Sequence, residues 1–125
     1  MEQELKEKLI NNGVDVEAAL GRFMNNEALY MKFLNKFITE PTYERLKDSM
    51  AAEDYPEVFR QAHTLKGVTA NLSLNPLTVS VEKLVELLRN RENPTADEVA
   101  KAKEYMNEIT EKYNMISDLL KESAN

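Results

Sequence analysis

The stretch from Asp54 to Leu77 reads DYPEVFRQAHTLKGVTANLSLNPL and contains His63, the one histidine of the chain. Apolar residues and one threonine recur in it at intervals of four and three positions, the spacing that turns one stripe of an α-helix toward a protein core. This stripe consists of Val58, Ala62, Leu65, Thr69 and Leu72. The pattern predicts a helix over about residues 55–72, with the other helices packed around it.

A flank of this helix combines three residues that suit one kind of chemistry. Residues three and four positions apart are neighbours on a helix, so Lys66 and Gly67 lie one turn from His63. Glycine inside a helix is destabilising by ~1 kcal/mol relative to alanine, and the missing side chain of Gly67 would leave room for a bulky group on the imidazole. Lys66 would offset the ~1.5 to 2 negative charges of a phosphoryl group in that space. Since an exposed histidine is largely neutral at neutral pH and has a ring nitrogen free for nucleophilic attack, the flank predicts a carrier of phosphoryl groups.

The composition indicates one folded, mostly helical domain. Of the 125 residues, 42% are hydrophobic and 30% are charged, with only three glycines and four prolines. This composition suits a folded protein rather than a disordered one, and glycine is too scarce for a turn-rich β fold. We therefore expect residues 1–125 to form one domain.

Charge and cysteine content argue against several kinds of partner and site. A formal net charge of -6 disfavours nucleic acid and anionic membranes, which need a basic surface. No apolar run approaches the ~20 residues needed to span a bilayer, and the charged start MEQELKEKL lacks the apolar segment of a signal peptide. The chain has no cysteine and one histidine, so its scattered carboxylates provide no metal-ligand set. These features predict a cytoplasmic protein with a protein partner and no metal site.

Capping residues divide the sequence before Asp54 into helices. The segment from Glu2 to Asn12 predicts a short helix that ends at Gly13. Asp15 can cap a second short helix over residues 16–23. Both are expected to be peripheral.

A longer helix is predicted to begin after Asn26. Pro41 should break or kink it near residues 39–41, before it resumes to about Ala52. Such a helix inside a bundle typically has a wide apolar face. That face, which we interpret as core rather than as a cofactor pocket, consists of Tyr30, Phe33, Leu34, Phe37 and Ile38.

Two further helix starts follow from local signals. Asp54 with Glu57 predicts a capping box at the start of the central helix. Asn75 with Pro76 predicts the N-cap and first turn of the next helix, which should end near Arg91. The connections between these helices must be short.

The last helix begins with the clearest capping box of the chain, formed by Thr95 and Glu98. Its apolar residues repeat at three-and-four spacing for about three heptads, as expected of a helix packed nearly antiparallel to its neighbours. These residues are Val99, Ala102, Met106, Ile109, Tyr113, Ile116 and Leu120. Acidic residues such as Glu82 and Glu86 on the preceding helix are interpreted as a solvated face.

Together these elements predict an all-α fold, an antiparallel four-helix bundle with two short N-terminal capping helices. The spacing in the last helix would also suit a coiled-coil dimer. An intramolecular bundle uses the same spacing and is the interpretation we favour, so we expect a monomer.

The segment from Ala62 to Leu77, AHTLKGVTANLSLNPL, closely resembles the signature of histidine-containing phosphotransfer (HPt) domains of two-component phosphorelays. That signature runs Ala-His, any residue, Leu-Lys-Gly, and then a small and apolar segment that ends in Leu and a loop. Upstream, GVDVEAALGRF and FLNKF resemble the N-terminal half of the family, so the resemblance covers roughly Gly13 to Leu88. The family often has glycine in the loop after the helix, where this chain has Ser73.

The resemblance implies a role for each residue of the flank. His63 would be the phosphoacceptor, which receives the group from the aspartyl phosphate of one response-regulator receiver domain and passes it to the aspartate of another. Lys66 would stabilise the charge of the phosphoryl group, and Gly67 would provide steric access. Mg²⁺ would come from the receiver domain, so this chain would need no cofactor of its own. A sensor or hybrid histidine kinase would be a further partner, and the absence of a nucleotide-binding loop predicts that the chain is not itself a kinase.

Members of the family also present an apolar patch around the histidine, on which receiver domains dock. The candidates here are Phe59, Ala62, Val68 and Ala70, with Arg60 as a charged rim. Phe59 lies between the core stripe and the histidine flank, so its position is compatible with burial and with docking. An alternative function is a helical-bundle adaptor that docks a protein through the same surface and is never phosphorylated.

Overall fold

A computed structural model of the chain describes residues 1–124 and has an all-α architecture. These residues form seven helices and no strand, which confirms the all-α part of the prediction. The helix that contains His63 lies close to its predicted bounds. In chain order the helices are α1 (Gln3–Asn11), α2 (Val16–Arg22), α3 (Glu27–Phe37), α4 (Thr42–Ala51), α5 (Tyr55–Asn71), α6 (Asn75–Leu88) and α7 (Ala96–Ala124).

Side-chain caps form at several predicted helix starts. The side-chain oxygens of Asp15 and Asn26 each accept a hydrogen bond of 3.0 Å from an amide in the first turn of α2 and α3. At α7, the Thr95 hydroxyl accepts a bond of 3.2 Å from the Glu98 amide, and the Glu98 carboxylate accepts one of 2.9 Å from the Thr95 amide. These bonds satisfy amides that a helix start leaves without an intrahelical partner, so the three predicted caps are confirmed.

Pro41 separates α3 from α4, as expected of a residue without an amide donor. α3 ends at Phe37, and α4 begins at Thr42, directly after the proline. The Pro41 carbonyl then accepts a hydrogen bond of 2.9 Å from the Arg45 amide. The predicted break is therefore confirmed, and helical hydrogen bonding resumes immediately after it.

The capping box predicted at the start of α5 is only half formed. The Asp54 side chain accepts a hydrogen bond of 3.3 Å from the Glu57 amide, as a cap should. The Glu57 carboxylate does not return this bond, because it accepts hydrogen bonds from Arg60 and Gln61 further along the helix. The backbone amide of Asp54 donates instead to the Ser49 carbonyl of α4 at 3.1 Å, so tertiary structure replaces the local partner.

The bounds predicted for α6 were wrong at both ends. Asn75 is the first residue of the helix rather than its cap, because the Leu74 carbonyl accepts the first helical hydrogen bond at 3.0 Å. At the other end the helix stops at Leu88 and does not reach Arg91. Arg89 has an extended backbone, with φ -59° and ψ 123°, which ends the helical hydrogen-bond pattern.

The core contains buried residues from all seven helices, and α4–α7 pack on one another within it. α5 packs against α4 and α6, and α6 packs against α7. Tyr43 of α4 stacks on Tyr113 of α7 with ring centroids 3.8 Å apart, so α4 also contacts α7. The predicted stripe of α5 is buried in this core, which fixes the rotation of the helix and turns the flank with His63 outward.

Phe33 is an exception to the predicted apolar face of α3. Tyr30, Leu34 and Phe37 are buried, but Phe33 is 38% exposed. Its ring lies at the surface with its centroid 5.3 Å from that of Phe23. The prediction of Phe33 as a core residue was wrong, because α3 meets the core with a narrower face than the sequence pattern allows.

α2 and α3 hold the C-terminal end of α5. The Arg22 guanidinium donates hydrogen bonds of 3.0 Å to the carbonyls of Ala70 and Asn71. The Tyr30 hydroxyl donates one of 2.8 Å to the Leu72 carbonyl in the protein interior. The last carbonyls of a helix have no intrahelical partner, so these N-terminal helices supply the partners and fix this end of the histidine-bearing helix.

The loop after α5 turns at Ser73, whose φ of 57° lies in the left-handed region that favours glycine. Arg22 donates a hydrogen bond to the Ser73 hydroxyl, and the Ser73 carbonyl accepts one of 3.1 Å from the Asp15 amide. These two bonds stabilise serine in a backbone conformation that favours glycine.

Candidate functional site

His63 is exposed on the outer flank of α5. The Phe59 ring, one turn earlier, lies with its centroid 6.0 Å from that of the imidazole. Both rings line a shallow groove of about 410 Å³, which we call the His63 groove and which is formed by Phe59, Arg60, His63, Thr64 and Arg89. The imidazole is therefore open to solvent and to a partner, with an aromatic ring and two arginines beside it.

Arg89, just beyond the end of α6, is a residue of this groove that sequence analysis missed. Its guanidinium lies 5.7 Å from the centroid of the Phe59 ring, within the range of a cation–π contact. The same guanidinium donates hydrogen bonds of 2.9 and 3.4 Å to the Glu86 carboxylate. Helix periodicity gave no signal for Arg89, because its position depends on where α6 ends and how α6 packs against α5.

Lys66 is paired with a glutamate of α6. Its ammonium lies 3.8 Å from a carboxylate oxygen of Glu82, and its side chain is one-third exposed. Lys66 and His63 share the flank that the sequence predicted, but in this conformation the ammonium is drawn toward α6.

Electrostatics at this edge of α6 involve both of its glutamates. Hydrogen bonds from Arg89 hold the pKa of Glu86 below its ordinary value, and the charge of Lys66 contributes in the same direction. Conversely, the hydrogen bonds that Arg89 donates to the Glu86 carboxylate raise the pKa of Arg89. Glu82 and Glu86 are exposed, as the sequence predicted for a solvated face, but both form ion pairs with cations beside the histidine.

Gly67 lies in open space. A Cβ atom built on this residue would meet no heavy atom within 4 Å outside the backbone of its own helix. Packing within the chain therefore does not explain the glycine. The free volume one turn from His63 is compatible with the predicted steric role.

The predicted docking residues differ in their accessibility. Arg60 and Ala70 are exposed, and Phe59 and Val68 are partly buried. Ala62 is fully buried, so its prediction as a docking residue was wrong. Its place in the apolar stripe turns its methyl group into the core.

A second groove, of about 190 Å³, lies between α3 and α5 on the other side of Gly67. Val68 of α5 and Phe33 of α3 both line it. Partly exposed aromatic and aliphatic side chains of this kind are common where proteins bind one another.

Metal-binding clusters and membrane-spanning helices are both missing from the described residues. No three His, Asp or Glu side chains within residues 1–124 converge as ligands for a metal ion. None of the helices in the described part of the chain has the length and apolarity needed to cross a membrane. The His63 groove, which contains the one histidine of the chain, is the candidate site.

Comparison with known families identifies one match. A family model described as the Hpt domain matches residues 38–119. The match includes α4, α5 and α6 and most of α7, whereas α1, α2 and α3 lie outside it. The resemblance drawn from the sequence is confirmed from residue 38 to Leu88, and the match continues to residue 119 within α7, whereas the resemblance of residues 13–37 stays a prediction. No curated protein and no solved structure matches the chain significantly.

Proposed function

The chain belongs to the Hpt domain family, the phosphocarrier modules of two-component phosphorelays, and we propose that His63 carries a phosphoryl group between aspartates of response-regulator receiver domains. One observation supports this most directly. The one histidine of the chain lies within the matched segment, exposed, and one turn from the open space at Gly67. The chain has no second imidazole that could accept the group.

The transfer would be an in-line displacement. The lone pair of a neutral His63 ring nitrogen forms a bond to the phosphorus of an aspartyl phosphate, and the P–O bond to that aspartate breaks with its electron pair on the carboxylate. The other ring nitrogen keeps its proton, so charge is conserved. A second receiver domain takes the group by the reverse step, with the Mg²⁺ bound to the receiver.

Residues around His63 would contribute charge and space rather than further covalent chemistry. Lys66 stabilises the phosphoryl oxygens, and Gly67 leaves them room. Arg89, on the other side of the imidazole, adds a second cation with a planar geometry that suits phosphate. Such groups act by electrostatic stabilisation and by positioning.

Receiver domains would dock on the accessible part of the predicted patch, which consists of Phe59, Arg60, Val68 and Ala70. Aromatic and arginine side chains often dominate the energetics of such interfaces. A sensor or hybrid histidine kinase would be the source of the phosphoryl group. The chain itself would be a carrier without autokinase activity, because its three glycines, Gly13, Gly21 and Gly67, are too far apart to form a nucleotide-binding loop.

We further propose that α4–α7 form the antiparallel four-helix bundle predicted from the sequence, and that the protein is a monomer. The packing of each of these helices on the next and the stacking of Tyr43 on Tyr113 support this arrangement. The cytoplasmic location stays a prediction.

The decisive experiment combines the protein with a receiver domain that carries a labelled aspartyl phosphate. Label should appear on the wild-type chain, labile in acid and stable in alkali, and should be absent from His63→Gln. Full labelling of His63→Gln would contradict the proposal. Binding of the receiver domain without any labelling of the wild type would favour the adaptor function instead.

A further inference from the structure

Two glutamates of α6 each bind one of the cations beside His63. Glu82 lies 3.8 Å from the Lys66 ammonium, and Glu86 accepts hydrogen bonds from Arg89, the shorter of 2.9 Å. Glu82 and Glu86 are four residues apart, so they lie one above the other on the same face of the helix. Both carboxylates are about half exposed, at 52% and 57%.

We propose that Glu82 and Glu86 are positioning residues that compete with the phosphoryl group for Lys66 and Arg89 and thereby lower the phosphorylated fraction of His63. This inference rests on the proposed function. In the free protein each cation is held by its glutamate. A phosphoryl group on His63 is a second anion for the same two cations, so its oxygens and the two carboxylates compete for them.

The strengths of the competing contacts make such an exchange feasible. An exposed ion pair between single side chains contributes little to stability, so either pair can open readily. A phosphoryl group has up to two negative charges and three acceptor oxygens, and Arg89 can bind two of these oxygens at once. The cost of opening the glutamate pairs is nevertheless subtracted from the stability of the phosphorylated state.

This arrangement suits a carrier that must both accept and release its group. Free cations beside His63 would favour the phosphorylated form and oppose its release to the next aspartate. Cations held by Glu82 and Glu86 reduce that bias. The two glutamates therefore shift the equilibrium between phosphorylated and free His63 without contacting the reacting atoms.

The test uses phosphoramidate, which can phosphorylate histidine without a protein partner. The His63 nitrogen forms a bond to phosphorus, the P–N bond of phosphoramidate breaks, and ammonia leaves with its electron pair. At a fixed ratio of phosphoramidate to ammonium, the phosphorylated and free forms are measured by ³¹P NMR once their ratio is constant. Glu82→Gln and Glu86→Gln should each raise this ratio about two- to fivefold, the effect expected of one exposed ion pair.

Glu4→Gln is a matched control, because it also removes one negative charge and breaks an exposed pair of 3.3 Å, with Lys8 on α1. Its ratio should equal that of the wild type. At ~1 M salt, where the screening length falls to ~3 Å, the two variants of α6 should approach the wild type as well. Ratios for Glu82→Gln and Glu86→Gln that equal the wild type at low salt would overturn the inference.

A double-mutant cycle separates competition for a cation from simple repulsion of the phosphoryl group. If Glu82 acts by holding Lys66, then Glu82→Gln should have little effect in the Lys66→Gln background. A full effect in that background would overturn the proposed competition. If the wild-type chain takes up no phosphoryl group at all, the proposed function fails and this inference fails with it, whereas a phosphorylated wild type with unaffected variants contradicts the inference alone.

Discussion

Tyr30 and Leu72 are joined by a hydrogen bond of 2.8 Å between the tyrosine hydroxyl and the leucine carbonyl, both in the interior. Tyr30→Phe removes the donor and leaves a buried carbonyl without this partner, which costs about 1–3 kcal/mol of unfolding free energy. Urea denaturation measures the loss. Tyr105→Phe, at a half-buried tyrosine of α7, is the control and should unfold close to the wild type.

Because of Tyr30, we also expect the protein to lose stability in alkali. Burial raises the pKa of Tyr30 far above its ordinary value of 10.0. The unfolded chain therefore loses this proton at a lower pH than the folded chain, so the associated stability is complete below about pH 10 and falls as the pH rises further. Between about pH 8 and pH 11, the urea midpoint of the wild type should fall more than that of Tyr30→Phe. Parallel declines of the two proteins would argue against this source of the pH dependence.

The capping box of α7 should make the stability of the protein depend on pH in the acidic range. Hydrogen bonds from the Thr95 amide and from Arg91 hold the pKa of Glu98 below its ordinary value. Its contribution to stability is therefore present above the unfolded pKa of about 4.3 and is lost as the pH falls through the lower folded value. Glu98→Gln should unfold at lower urea than the wild type at neutral pH, and the difference should narrow in acid. Glu104→Gln, an exposed position of the same helix, should show no such convergence.

Local chemistry explains why much of the fold could be predicted from the sequence. The caps at Asp15, Asn26 and Thr95, the break at Pro41 and the buried stripe of α5 all depend on residues within a few positions of one another. Rules of helix periodicity and capping apply directly to such neighbours. The family signature of the sequence also depended on local spacing, since it covers about three turns of one helix, the loop that follows and the start of α6.

The parts that sequence analysis missed depend on contacts between helices. Arg89 joins the His63 groove because α6 ends at Leu88 and lies against α5. The pairing of Lys66 with Glu82 likewise requires the register between two helices, which spacing within one helix does not determine. Ala62 illustrates the opposite case, since its burial followed from its place in the apolar stripe and the family resemblance alone had assigned it to docking.

Phe59 provides a test of the docking surface. Its ring lies 6.0 Å from that of His63 and beneath the Arg89 guanidinium, so Phe59→Ala should weaken receiver binding and leave Arg89 less ordered. Titration calorimetry with a receiver domain should show a loss of about tenfold or more in affinity if the ring is a central contact. The affinity of Phe33→Ala, a variant at the second groove, shows whether the interface extends that far. Equal affinity of Phe59→Ala and the wild type would exclude the ring from the interface.

Gly67 allows stability and phosphotransfer to be separated. A methyl group there meets no heavy atom within 4 Å beyond its chain neighbours and the backbone of its own helix, so Gly67→Ala should stabilise the helix by about 0.5–1 kcal/mol, because alanine restricts the unfolded chain more than glycine does. Gly67→Gln should remain folded but slow transfer from a phosphorylated receiver domain, since its side chain would occupy the space beside His63. Gly21 has the same open surroundings in α2, so Gly21→Gln is a matched control that should leave the transfer rate unchanged. Single-turnover labelling measures the rates, and circular dichroism verifies that both glutamine variants are helical. Equal transfer rates for Gly67→Gln and Gly21→Gln would show that the phosphoryl group does not need the space that this glycine leaves open.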